Sequence, residues 1–142
     1  MSATDKIILA KQASGALASA NTLQKNAALT AIAHSLLANV QSIVEANELD
    51  LKRAADESMA AGLIDRLRLD EKRIRALADV VEQVASLPDP IGDVLRGMSL
   101  PNGLKLTQVR VPLGVIGCIY EARPNVTIDI AVLAIKSGNA VV

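Results

Sequence analysis

Gly114-Val115-Ile116-Gly117-Cys118-Ile119-Tyr120 is an apolar run without polar alternation, the pattern of a strand covered on both faces in a parallel sheet. Beyond it comes a loop, Glu121 to Asn125, and then a helix running through Lys136. Thr127 can cap that helix and Asp129 lies in its first turn, where the helix dipole favours negative charge. Gly138 supplies the left-handed position after the helix, and Ala140-Val141-Val142 opens a second apolar strand. Strand, helix and strand in this order form a βαβ unit, which sets the class as α/β. Two strands and one helix cannot cover both faces of a parallel sheet, so the unit reads as interrupted in its second strand.

Upstream, the pattern differs. Leu100-Pro101-Asn102-Gly103 is a turn signal, and Leu104, Leu106, Val109 and Val111 are separated by Lys105, Thr107 and Arg110. This predicts a β-hairpin whose second strand is broken in alternation near Gln108. Pro88-Asp89-Pro90 separates the hairpin from a helical region. There Ile74, Leu77, Ala78, Val81, Val84 and Ala85 form the cleanest apolar stripe of the chain, opened by Asp70 and Glu71. Ahead of it, a short Leu63 to Leu67 stretch follows an amphipathic helix over about Gln41 to Ser58, with Ile43, Val44, Leu51, Ala54 and Ala55 toward one side. Asn21-Thr22-Leu23-Gln24 reads as a cap with a reciprocal Gln, ahead of a stripe of Leu29, Ile32, Ala33, Leu36, Leu37 and Val40. A first helix over about Thr4 to Ser19 has Ser2 or Thr4 as its cap and is weakened by Gly15.

The composition constrains the core and the partners. In 142 residues there is no Phe, no Trp and one Tyr, although 51% are apolar, so the core must be built from Leu, Ile, Val and Ala, a mixture suited to closely packed helices. Fifteen basic and fifteen acidic residues cancel, and no basic patch carries interleaved aromatics, which argues against a nucleic-acid partner. One cysteine cannot form an internal disulfide and no Cys/His cluster has metal-ligand spacing, so a reducing compartment, the cytoplasm, and no metal site are expected. Every apolar stretch falls short of the roughly 20 residues of a spanning helix, and no membrane role is expected.

Candidate chemistry concentrates after the first parallel strand. Glu121-Ala122-Arg123-Pro124-Asn125 lies at a strand's carboxyl end and leads into a helix N-terminus, where open α/β sheets place ligands and free N–H groups attract anions. Arg123 can bind phosphate or carboxylate through both arms of its guanidinium, or simply form a surface ion pair. Asn125 can donate its amide to a developing oxyanion, or cap the helix. Gly114 and Gly117 do not make a dinucleotide fingerprint, because no G-x-G-x-x-G opens the helix. Cys118, inside an apolar strand without a cationic neighbour in sequence, reads as a buried structural cysteine rather than a nucleophile. His34 falls off the buried stripe of its helix and should face solvent.

The run from Arg110 through Thr127, which contains Tyr120-Glu121-Ala122-Arg123-Pro124-Asn125, and the run Lys136-Ser137-Gly138-Asn139-Ala140-Val141 closely resemble the γ-glutamyl phosphate reductases, glutamate-5-semialdehyde dehydrogenases of the aldehyde dehydrogenase superfamily. Gly62-Leu63-Ile64-Asp65-Arg66-Leu67 and Leu87-Pro88-Asp89-Pro90-Ile91-Gly92 look like the same family. The resemblance implies N-terminal helices over 1–90, an oligomerisation-type β-hairpin over 91–112, and from 113–142 the start of an NADP-binding Rossmann-like domain. It implies NADPH-dependent reduction of L-glutamyl 5-phosphate to L-glutamate 5-semialdehyde in L-proline biosynthesis: a thiolate displaces phosphate to give a thioester, and hydride transfer releases the semialdehyde.

By the same resemblance Tyr120, Glu121, Ala122 and Arg123 lie beside NADP(H), Arg123 contacts substrate, and Asn125 is the oxyanion donor. A homo-oligomer and a contact with glutamate 5-kinase are further implied. The family's nucleophilic cysteine has no counterpart in this chain, which is therefore expected to be inactive alone. The alternative reading is a non-catalytic interaction module that pairs through its hairpin with full-length subunits.

Overall fold

A computed structural model describes residues 2–121 and 123–142. Among the described residues six helices and four strands follow one another as α1 (Ala3–Ser19), α2 (Thr22–Ala38), α3 (Val40–Asp56), α4 (Ala61–Leu67), α5 (Glu71–Ser86), β1 (Val94–Ser99), β2 (Lys105–Val109), β3 (Val115–Ile116), α6 (Pro124–Lys136) and β4 (Ala140–Val141).

The helix starts follow from local side-chain chemistry. At α1 the Ser2 hydroxyl accepts from the Asp5 N–H (3.1 Å), and the Asp5 carboxylate accepts from the Ser2 N–H (2.8 Å). At α2 Asn21 and Gln24 make the same reciprocal pair, each bond 2.9 Å long. Asp70 accepts from the Arg73 N–H and opens α5. Such caps satisfy N–H groups that have no partner within the helix, and each contributes about 1 kcal/mol.

All six residues of the α5 stripe are buried. Four of them, Ala78, Val81, Val84 and Ala85, join Leu29 and Ala33 of α2 and Val132 of α6 in one cluster, with Ile32, Leu36, Ile128 and Ile135 packed against it. Alanine at three of these seven positions lets the helix backbones approach closely. Leu29 and Val81 are fully enclosed, each contributing about 1.5–3 kcal/mol by leaving water.

Polar anchors tie this core to the rest of the chain. The buried Lys25 ammonium of α2 bonds both carboxylate oxygens of Asp89 (3.0 and 2.9 Å), which also accept from the Thr22 hydroxyl and the Ile91 N–H. Burial pushes the Asp89 carboxyl up, but the bonds from Lys25, Ile91 and Thr22 and the lysine's charge outweigh it and hold the group below its ordinary value. The buried Lys136 ammonium at the end of α6 donates to Asn26 (2.7 Å) and to the Ala85 carbonyl (2.8 Å), in the last turn of α5, where the helix dipole favours a cation.

The hairpin is antiparallel, with Gly103 at φ +85° in its turn. The broken alternation expected near Gln108 takes the form of an irregularity on the opposite strand: Val94 pairs with Val109 and Arg96 with Gln108, leaving Leu95 as the extra residue. Both strands are exposed along their whole length. The second sheet is parallel, pairing Val115 with Ala140 and Ile116 with Val141, and α6 is its crossover. Helices α1 and α6 both pack on it.

The apolar run 114–120 departs from the expected buried strand. Only Val115 and Ile116 are strand residues, both half-buried, and Ile119 is fully exposed. A single neighbour, β4, leaves the other edge of β3 open. Hydrogen bonds from Ala140 N–H to Gly114 O (2.9 Å) and from Cys118 N–H to Val142 O (2.8 Å) extend the pairing slightly. Cys118 is accordingly half-buried rather than buried. Helix α6 begins at Pro124, three residues before the expected cap. Proline at the first helical position loses no hydrogen bond and presets φ, so it defines the start, and the Thr127 hydroxyl instead bonds the Tyr120 hydroxyl. Val40, placed in the second helical stripe, opens α3. Ala55 is exposed; Asn47 and Ala54 are the buried residues of α3.

Candidate functional site

The Lys136-Ser137-Gly138-Asn139 turn fixes the first parallel strand relative to α6. Gly138 has φ +71°, and a Cβ there would lie 2.9 Å from Pro112 Cγ, so only glycine lets the turn pass this proline. The buried Asn139 side chain accepts from the Gly114 N–H (2.8 Å) and donates to the Ser137 carbonyl (3.0 Å) and hydroxyl (2.9 Å). Strand β3 is thereby tethered at its start, and its carboxyl end leads toward the N-terminus of α6.

At that helix N-terminus lies an open cavity of about 460 Å³. Arg123 and Asn125, the sequence's candidates for a ligand site, border it together with Asp129. Further lining comes from the end of α4 and the turn after it, through Asp65, Arg66 and Arg68, and α5 adds Arg73 and apolar side chains including Leu77 and Val80. Among the described residues no side chain caps α6. Its positive dipole end therefore adds to the guanidinium charges around the cavity.

The charges are unevenly committed. Arg73 pairs with Asp65 (2.9 Å) and also bonds the carbonyls of Asp65 and Arg68. Asp129 accepts from the Asn125 amide at 3.1 Å, which orients that side chain and leaves its second N–H to serve a ligand. Among the described residues, Arg66, Arg68 and Arg123 have no carboxylate within ion-pair distance. Four arginines against two aspartates give the cavity a net positive charge in a chain whose total charge is zero. Such a site attracts a small anion with carboxylate or phosphate groups.

Tyr120 and Glu121, expected beside a cofactor, are exposed after β3; Ala122 lies outside the described residues. Tyr120 and Cys118 border a smaller apolar cleft of about 210 Å³ with Thr127, Ile130 and Val141. His34 is exposed on α2, away from both cavities. Among the described residues no group of His, Cys, Asp and Glu could hold a metal ion, and no single helix is long and apolar enough to cross a membrane.

Arg66, Arg68, Asp65 and Arg73 had not been assigned to the site from the sequence. Their place at this cavity depends on how α5 packs against α6 and on how the turn after α4 is held by Asn47 of α3 and Arg73 of α5. The local signal available was the pair of arginines one residue apart, just ahead of the Asp70 cap.

No protein-family model matches the chain. It is 54% identical over 141 residues to gamma-glutamyl phosphate reductase of Leifsonia xyli, covering 99% of this chain and 34% of that protein. The identity to the protein of the same name from Clavibacter michiganensis is 57% over 133 residues, 94% of this chain and 31% of that one. The crystal structure of gamma-glutamyl phosphate reductase from Thermotoga maritima superposes with a TM-score of 0.93 at 40% identity, over 97% of this chain and 33% of its own. The Saccharomyces cerevisiae structure of the same name gives 0.87 at 35% identity, over 99% of this chain and 36% of that one. The chain spans about a third of the length of these relatives. In sequence and in fold it matches the N-terminal portion of the gamma-glutamyl phosphate reductases.

Proposed function

We propose that this chain supplies the anion-binding part of an enzyme that reduces L-glutamyl 5-phosphate to L-glutamate 5-semialdehyde with release of phosphate, in cytoplasmic L-proline biosynthesis. The observation that carries the reading is the coincidence of two features: identity to the reductases runs the length of the chain, and Arg123 and Asn125 border a cavity rich in unpaired arginines. An acyl phosphate with a carboxylate at its other end suits such a cavity in charge.

On this reading Arg123 holds an anionic group of the substrate, and the Asn125 amide, oriented by Asp129, donates to the acyl oxygen as negative charge develops on it. The nucleophilic thiolate belongs to the part of the reductases that this chain does not span; Cys118, half-buried beside Val142 with no basic side chain among its cleft neighbours, does not replace it. The hydride is supplied by NADPH. The residues present fit one flank of such a cofactor: the exposed Tyr120 ring and the apolar cleft beside it can meet a flat ring, while Glu121 and Arg123 offer polar contacts. The division into helices (1–90), hairpin (91–112) and the opening of a cofactor domain (113–142) belongs to the same proposal.

The hairpin fits an oligomer interface. Val94, Leu95, Met98, Leu104 and Leu106 are each more than 40% exposed on it, an apolar surface of the kind that a second subunit covers. The same exposure favours the second reading, an interaction module pairing with full-length subunits, and glutamate 5-kinase is a further candidate partner.

The test is kinetic, on the full-length protein. NADPH oxidation should depend on L-glutamyl 5-phosphate, and Asn125→Ala should lower kcat about 10²–10³-fold. An unchanged kcat in that variant would remove Asn125 from the reaction.

A further inference from the structure

We infer that Arg66 and Arg68 form, in the cavity that Arg123 also lines, a second oxyanion subsite that takes a carboxylate or phosphate group of the substrate. The inference deepens the functional reading above and rests on it for the identity of that substrate.

The turn that carries these two arginines is held on both sides. Asn47 of α3, 5% exposed, accepts from the Leu69 N–H at 2.6 Å and donates to the Leu67 carbonyl at 2.9 Å, so the backbone flanking Arg68 is clamped by one buried side chain. From the other direction the Arg73 guanidinium binds the Asp65 carbonyl, the Arg68 carbonyl (2.9 Å) and the Asp65 carboxylate (2.9 Å), while Asp70 accepts from the Arg73 N–H (2.8 Å). Arg73 and Asp65 thus spend their charges on each other and on the turn. Arg66 and Arg68 do not: among the described residues neither has a carboxylate within ion-pair distance, and both border the cavity that Arg123 and Asn125 enter from α6.

On other helices Arg75 pairs with Glu71 (2.7 Å) and Arg53 with Asp50 (3.7 Å); Arg96 of the hairpin, which has no carboxylate partner among the described residues, borders no such cavity. A buried clamp that holds two unpaired guanidinium groups at a concave surface which a third also lines is an arrangement suited to a ligand with more than one anionic group. Guanidinium forks bind carboxylate and phosphate in two-pronged fashion, whereas a lysine at the same place supplies only a point charge.

The test uses the full-length protein with Arg66→Gln, Arg68→Gln and the double variant. Both side chains are exposed, so all three should unfold at the same denaturant concentration as the parent. The double variant should raise KM for L-glutamyl 5-phosphate about ten- to a hundredfold, with kcat changed much less, as loss of charge-assisted hydrogen bonds demands. Calorimetric titration of parent and double variant with inorganic phosphate and, separately, L-glutamate identifies the group held: weakened phosphate binding assigns the subsite to the phosphate end, weakened glutamate binding to the carboxylate end. Unchanged KM together with unchanged binding of both probes would overturn the inference, as would a fall in kcat with KM unaltered. If the parent does not turn over L-glutamyl 5-phosphate, the functional reading fails, while the two titrations still decide whether these arginines bind an oxyanion.

Discussion

Replacing Asp89 by Asn tests whether the ion pair that fastens α2 to the segment after α5 is structural. Lys25 is 2% exposed and aims its ammonium at both carboxylate oxygens of Asp89, whose side chain retains 12% exposure. Removing the carboxylate's charge leaves a buried cation with a neutral amide, and breaking a buried pair on one side costs about 3–5 kcal/mol. The slight access of water to Asp89 favours the lower end, about 3 kcal/mol. Urea denaturation of the full-length protein, followed by far-UV circular dichroism, should show the midpoint falling with the slope unchanged. Replacing both residues together, Lys25→Met with Asp89→Asn, should cost less than the sum of the single changes, because no charge is left stranded.

The effect has a pH signature. The folded state holds the Asp89 carboxyl below its ordinary value of 3.8, so its contribution is fully present above that value and is lost as pH falls through the lower, folded value. The gap between parent and Asp89→Asn should therefore be constant from neutral pH to about pH 5 and close below the ordinary aspartate value. A gap under about 0.5 kcal/mol at neutral pH, or one independent of pH down to acid unfolding, would refute the assignment.

Other perturbations follow from packing and backbone geometry. Leu29→Ala, at a fully enclosed position, should destabilise by about 2–5 kcal/mol in the same urea assay, and a loss below 1 kcal/mol would show that the site collapses or is not core. Gly138→Ala forces a left-handed backbone on a residue with a Cβ and drives that carbon against Pro112, so a loss of about 2 kcal/mol is expected. Asn47→Ala leaves the Leu69 N–H and Leu67 carbonyl without their partner and should cost about 1–3 kcal/mol while raising KM in the direction of the Arg68 variant.

What the sequence disclosed and what it withheld divide along the reach of the interactions. The Asn21–Gln24 box and the α5 stripe are set by neighbours three or four residues away, and both stand in the structure as their spacing indicates. Lys25, Asn47 and Lys136 are polar residues whose burial could not be read locally, because their partners lie across the chain: Asp89 for Lys25, Leu67 and Leu69 for Asn47, Asn26 and Ala85 for Lys136. The apolar run at 114–120 predicts a covered strand, but an unbroken apolar pattern does not report where the strand stops, and the strand ends at Ile116 with Ile119 exposed. The start of α6 was legible in Pro124, but Thr127 offered a competing cap whose hydroxyl is engaged by Tyr120. At the candidate site Arg123 and Asn125 are legible as candidates because strand end and helix start are adjacent in sequence. Arg66 and Arg68, which line the same cavity, come from a turn nearly sixty residues earlier, a proximity that no local pattern carries.

The most direct measurement is the stoichiometry of phosphate release. Full-length protein given NADPH and L-glutamyl 5-phosphate should liberate one phosphate for each NADPH oxidised, and should show no matching reaction when L-glutamate replaces the acyl phosphate. NADPH oxidation without phosphate release, or no oxidation with L-glutamyl 5-phosphate, would contradict the proposal that this chain forms the anion site of an acyl phosphate reductase.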